Sequence, residues 1–186
     1  MRGARRGWLW LMILGALAAT LALLVARGPD ASALVGHQAP AFVLPRLSGG
    51  DVSLGQFRGR DVVLRFGSVA CTTCDPDFSR LLAWQRQAGQ GLEVLAIEEG
   101  QSASVVRLAL GGTSAGVPVL VDAEGQVAAE YGVRRLPVFV FIDRQGVVVD
   151  QAVVGTRTGL WSQATWETHL ERLRAADART APGGEG

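Results

Sequence analysis

Val62-Val63-Leu64-Arg65-Phe66-Gly67-Ser68-Val69-Ala70-Cys71-Thr72-Thr73-Cys74 carries an apolar run into the chain's two cysteines, which stand three positions apart. It reads as a strand feeding a loop and then a helix, with two thiols at the turn. A disulfide at this spacing closes so small a loop that it removes little entropy from the unfolded chain, so stabilising the fold is a weak reason to have it. Chemistry is a stronger one. A thiolate that attacks a target disulfide forms a mixed disulfide, and a second thiol three residues away is held at high effective concentration to resolve it. A zinc site is the alternative, but zinc needs four ligands. The chain offers these two thiols with His37 and His169, each isolated in sequence.

The pattern extends on both sides. Upstream, Phe42 to Leu44 and Asp51 to Leu54 flank Ser48-Gly49-Gly50, which predicts a β-hairpin. Downstream of the strand at 62–67, a helix is expected from the cysteines to about Ala88, a strand at Glu93 to Ile97, and a short helix at Ser104 to Leu110. A strand at Val119 to Val121 and a small helix at Val127 to Tyr131 follow. Val138 to Ile142 and Val147 to Val154 form a strand pair turned by Asp143-Arg144-Gln145-Gly146, and Thr165 to Ala176 gives a closing amphipathic helix. Strands alternating with helices, then a strand hairpin and a last helix, predict an α/β fold with a mixed sheet sandwiched by helices.

The chain has 186 residues and a net charge of +1, which allows one domain with appendages. No basic stripe stands out, so nucleic acid is not an expected partner. Residues 7–26 (GWLWLMILGALAATLALLVA) hold no charge. Twenty helical residues at about 1.5 Å each span roughly 30 Å, the thickness of a hydrocarbon core, so the segment predicts a transmembrane anchor. Arg2, Arg5 and Arg6 precede it, and only Arg27 follows closely. That bias keeps residues 1–6 in the cytoplasm and exports the rest. A cleaved signal peptide is the competing reading, with Ala31-Ser32-Ala33 as a small-x-small cleavage site. Residues 27–35 then serve as a linker, 36–178 as the domain and 179–186 (RTAPGGEG) as a disordered tail.

Gly36-His37-Gln38-Ala39-Pro40-Ala41-Phe42, the run from Leu54 to Gly59 with the strand into Cys71-Thr72-Thr73-Cys74, and Tyr131-Gly132-Val133-Arg134-Arg135-Leu136-Pro137-Val138-Phe139-Val140-Phe141-Ile142-Asp143 together resemble the membrane-anchored thioredoxin-like proteins of the TlpA and ResA type. The resemblance spans roughly residues 36 to 175. It implies a thioredoxin-like three-layer α/β/α sandwich with a mixed central sheet, preceded by the N-terminal β-hairpin and one transmembrane helix. It also implies that Cys71 is the exposed nucleophile, that Cys74 resolves, and that the Leu136-Pro137 bond is cis and faces the thiols. The backbone of Leu136 would then pair with an extended substrate, with Arg135 beside it. Such proteins reduce disulfides of protein clients outside the cytoplasmic membrane, often in cytochrome c maturation, with electrons from a membrane thiol donor. The implied redox group is the Cys71, Cys74 disulfide, with no metal and no other cofactor.

Departures from the family pattern are equally specific. Ala70 stands where a tryptophan is usual and Thr73 where a proline is usual. Asp77 occupies the place of a glutamate in some relatives and is a candidate base for Cys74; alternatively, Asp75 and Asp77 cap a helix that Pro76 begins. Arg65 replaces an asparagine or acid, and a guanidinium in that strand must reach the surface or meet a carboxylate such as Glu98. Arg134 and Arg135 offer either a basic rim for acidic partners or simply solvated charge. Trp84, Trp161 and Trp166 read as packing residues. Three rivals share parts of the pattern. A peroxiredoxin would want proline and threonine where Leu64 and Ser68 stand, and a deiodinase-like redoxin would place its single reactive residue near Cys74. A copper-handling Sco-like factor would use two cysteines and a histidine as ligands rather than for turnover.

Overall fold

The computed structural model describes residues 31–71, 78–89, 91–111, 116–153 and 162–180. The expected anchor at 7–26 and the residues preceding it, the linker up to residue 30, Cys74, Asp75, Pro76, Asp77 and Trp161 lie outside them. Among the described residues no helix is long and apolar enough to cross a membrane.

Among the described residues, seven strands and four α-helices follow one another as β1 (Val43–Pro45), β2 (Asp51–Ser53), β3 (Asp61–Gly67), α1 (Phe78–Ala88), β4 (Leu92–Glu99), α2 (Ala103–Leu110), β5 (Val119–Asp122), α3 (Gln126–Glu130), β6 (Val138–Ile142), β7 (Val148–Val153) and α4 (Gln163–Thr180). Five strands make the central sheet in the order β5-β4-β3-β6-β7. β3, β4 and β5 run parallel, whereas β6 is antiparallel to β3 and β7 to β6. The central strand β3 is buried at all of its positions, as a continuous apolar run requires when both faces of a sheet are covered. The α/β fold with a mixed sheet is therefore the one observed.

The two covering layers differ in kind. On one face, α1, α2 and α4 bury Phe78, Leu81, Trp84, Val106, Leu110, Trp166, Leu170 and Leu173 against Val63, Val94, Phe139 and Phe141. On the other, among the described residues α-helix contributes only the five-residue α3, and the layer is completed by the β1–β2 pair with Phe42, Leu44, Val52 and Leu54 packed on Leu64, Phe66, Leu95 and Val140. The antiparallel pair also shields a sheet edge, because Leu47 N–H donates to Val119 O at 2.8 Å and Arg46 bridges to Leu120. An edge strand so covered cannot pair with another chain. The last residues of the expected linker are part of the domain. Residues 31–34 form a 3-10 turn, Leu34 packs on the core, and Gly36 N–H donates to Val148 O at 2.8 Å. At the other end α4 runs to Thr180, into the stretch read as a tail.

The closing helix is held at three levels. Trp166 stacks on Trp84 with ring centroids 4.4 Å apart, and the His169 ring lies flat on Phe141 at 5.0 Å. His169 Nδ1 is 2.6 Å from Asp150 Oδ2, which also accepts from Arg172 Nη1 at 2.8 Å. Burial opposes ionisation of Asp150, yet the hydrogen bonds from Arg172 and His169 hold its carboxyl below the ordinary value.

Near its C-terminus α4 brings Asp177 to Asp61, the buried first residue of β3. Arg144 Nε lies 3.8 Å from Asp61 Oδ1 and 3.3 Å from Asp177 Oδ2. Burial, then the hydrogen bond and charge of Asp177, push the Asp61 carboxyl up to about 7, which Arg144 only partly offsets. An acid raised on folding contributes stability that is complete below its unfolded value near pH 4 and disappears as pH rises through about 7. Thermal unfolding followed from pH 4 to 8 should show Asp61→Asn losing that dependence, on the order of 2–4 kcal/mol relative to the unmodified chain. Parallel stability curves for the two proteins would refute the raised Asp61 carboxyl.

Candidate active site

The site is built where β3 ends. Gly67 closes the strand, and a tight turn follows in which Cys71 N–H donates to Ser68 O at 2.9 Å and Ala70 N–H to Ser68 Oγ at 3.3 Å. The turn brings Cys71 back to the carboxyl end of the parallel strands, the end at which open α/β sheets place their chemistry. Cys71 is half-buried and disulfide-bonded. The chain's other cysteine, Cys74, lies outside the described residues. Val69 packs into the core on one side of the turn and Ala70 is exposed on the other, so the position where a tryptophan is usual presents only a methyl group to solvent.

A second loop flanks this turn. β6 begins at Val138, paired across from Phe66, and continuing the antiparallel register by one residue sets Pro137 opposite Gly67. The Leu136-Pro137 peptide bond is cis, as the resemblance implied. Pro137 is buried, Leu136 half-buried against the core, and Arg134 and Arg135 are exposed. Tyr131 anchors the start of this loop. Its ring is fully buried against Phe66 at 5.3 Å, and its hydroxyl donates to Pro40 O at 2.8 Å. Burial pushes that phenol above its ordinary value, so it remains a donor.

Beneath the turn lies a charged pair. Arg65 Nη1 donates to Glu98 Oε1 at 2.5 Å, with the two side chains 3% and 1% exposed. Glu98 is the register partner of Gly67, two residues beyond Arg65 on the same face of β3. The guanidinium therefore runs along the strand past Gly67, and a Cβ at that glycine would overlap it. Its Cζ also lies 6.0 Å from the centre of the Phe78 ring at the start of α1. Burial raises the Glu98 carboxyl above its ordinary value, against the pull of Arg65. Burial, then Asp122 and Glu98, raise neighbouring Glu99 as well.

Of the residues picked from sequence, Cys71, Arg135, Leu136 and Pro137 thus share one end of the sheet, while Cys74 and Asp77 are outside the described residues. Arg65 meets Glu98, the carboxylate named for it, rather than the surface. Gly67, Ser68 and Tyr131 carried no individual assignment. The signal for Gly67 was a glycine ending a largely apolar strand. The histidines are elsewhere. His37 O accepts from Val148 N–H at the opposite end of the sheet, and His169 is occupied by Asp150. Among the described residues no three His, Cys, Asp or Glu side chains gather as a metal site would need.

Comparison with known proteins agrees with this geometry. The profile of the AhpC/TSA family matches residues 35–151. The thiol-disulfide oxidoreductase ResA of Geobacillus kaustophilus is 32% identical over 143 residues, covering 75% of this chain and 78% of that protein. ResA of Halalkalibacterium halodurans is 28% identical over 176 residues, 91% of this chain and 96% of that one. Among solved structures, a candidate thiol:disulfide interchange protein DsbE from Chlorobium tepidum superposes with a TM-score of 0.60 at 28% identity, covering 75% of this chain and 94% of that chain.

Proposed function

The chain belongs to the AhpC/TSA family and is a thiol-disulfide oxidoreductase, and we propose that it reduces disulfides of protein clients by exchange at Cys71 and Cys74. The observation that supports this most is the position of Cys71. It is disulfide-bonded and partly solvent-accessible, on a turn at the carboxyl end of the central strand and beside the loop that carries Pro137.

In the reduced protein the Cys71 thiolate attacks one sulfur of a client disulfide. A Cys71–client bond forms and the second client sulfur leaves as thiolate. Cys74 then gives up its proton and attacks Cys71, closing the intramolecular disulfide and releasing the first client sulfur reduced. The two electrons gained by the client are those lost by the cysteine pair, so the pair is itself the redox group, and a membrane thiol donor reduces its disulfide back to the dithiol. Asp77 is the proposed proton acceptor for Cys74, with the backbone of Leu136 and the exposed Arg135 as docking points for the client. We place the domain outside the cytoplasm on an anchor at residues 7–26, which the sequence's charge bias supports. Cytochrome c maturation is the proposed setting, on the strength of the resemblance to the TlpA and ResA type.

Full-length protein in detergent should accelerate reduction of insulin disulfides by dithiothreitol. In intact spheroplasts added protease should digest the domain. Absence of acceleration would reject the chemistry, and protection of the whole chain would reject the orientation.

A further inference from the structure

We infer that the buried Arg65–Glu98 pair is a positioning device that sets the reactivity of Cys71, through the net charge it places under the turn. The inference rests on the reading of Cys71 as the nucleophile. A buried ion pair is a poor way to stabilise a sheet, since two apolar side chains of similar volume do as well or better. This one also constrains Gly67, where any Cβ would collide with the guanidinium.

Its location identifies what it acts on. Glu98 is the direct neighbour of Gly67 across the β3–β4 ladder, where strands lie roughly 5 Å apart. Cys71 is turned back onto Ser68 by an i to i+3 hydrogen bond, which holds those two Cα atoms within about 7 Å. From the other side, Phe78 at the start of α1 rests on Arg65. Phe78 thus contacts the pair directly, and Cys71 is tied through Ser68 to the end of the strand that carries Arg65. Glu98 faces Arg65 on β3, Glu99 follows it on its own strand, and Asp122 on β5 pairs with Glu99. Arg65 is the cation on β3 among these carboxylates, and the balance of charge there decides how readily a thiol above them ionises.

The sign is fixed by electrostatics. To the extent that Glu98 is ionised, Glu98→Gln keeps the volume and makes the local charge more positive, which favours thiolate. Arg65→Met makes it more negative, to the extent that Glu98 stays ionised, and favours thiol. A unit charge at about 10 Å with an effective dielectric near 20 changes a thiol's ionisation equilibrium by roughly tenfold.

The test is the rate at which reduced full-length protein carrying Cys74→Ser is alkylated at Cys71 by iodoacetamide at pH 6. This readout requires no client and no turnover. Adding Glu98→Gln should raise the rate about tenfold, adding Arg65→Met should lower it, and the neutral double variant Arg65→Gln with Glu98→Gln should return close to the parent. A pair that only ties strands together would shift melting temperature in all three while leaving the rates within about twofold, or moving them in one direction; either result overturns the inference. The client-reduction assay fails independently if the proposed function is wrong, so the two readings are separable.

Discussion

Replacing Cys71 with serine will reduce client-disulfide reduction to the rate of the protein-free reaction, whereas replacing Cys74 will stop turnover with the client covalently attached. The asymmetry follows from geometry. Cys71 lies on a turn at the strand end with part of its surface open, so an incoming disulfide can reach it. Once attached, the client leaves only if another thiol attacks. Well-oriented intramolecular partners act at effective concentrations that reach about 10⁵ M, against millimolar external thiol, so loss of Cys74 slows release by orders of magnitude. Non-reducing gels with a disulfide-containing client should show a reducible adduct for Cys74→Ser and none for Cys71→Ser. An adduct formed by Cys71→Ser would assign attack to Cys74 and favour single-cysteine redoxin chemistry.

The features legible in the sequence were those whose signal is local. An apolar run ending in glycine and two cysteines marks a buried strand and its exit turn, and a proline before Val138-Phe139-Val140-Phe141 marks an entry where no ladder donor is needed. Ser48-Gly49-Gly50 between Phe42 to Leu44 and Asp51 to Leu54 predicted a hairpin, observed as Val43–Pro45 paired with Asp51–Ser53. It did not tell which face of the larger sheet they would cover, because that depends on Phe42, Leu44 and Val52 finding the strip left open beside the short α3. Pairings distant in sequence were harder still. Glu98 could be offered as a partner for Arg65, but choosing it required the β3–β4 register across 33 positions. The Asp61 and Asp177 contact joins a strand start to the last turns of the final helix. No periodicity encodes it.

The same assembly makes Trp166 a position where a single substitution costs the fold heavily. Its side chain is fully buried, stacked on Trp84 of α1 and tilted against Phe141 of β6 at 5.8 Å, so one indole joins α4, α1 and the sheet. Trp166→Ala removes that surface and leaves a cavity which Leu170 and Leu173, fixed on the same helix, cannot close. Buried tryptophan truncations cost about 3–5 kcal/mol, a large share of the 5–15 kcal/mol typical of a whole domain. Leu108, 84% exposed on α2, supplies the contrast: Leu108→Ala should change stability by no more than about 0.5 kcal/mol. Urea unfolding of the two variants measures the difference directly. Because α1 leads away from the cysteines and leans on Trp166 through Trp84, the substitution also separates stability from chemistry. Well below the melting transition, alkylation of Cys71 per folded molecule should match the unmodified protein, since the turn at Ser68 and the Arg65–Glu98 pair are held by β3 and β4 rather than by α4. A parallel loss of both would mean that α4 sets the geometry of the thiols and not only the depth of the fold's free-energy well.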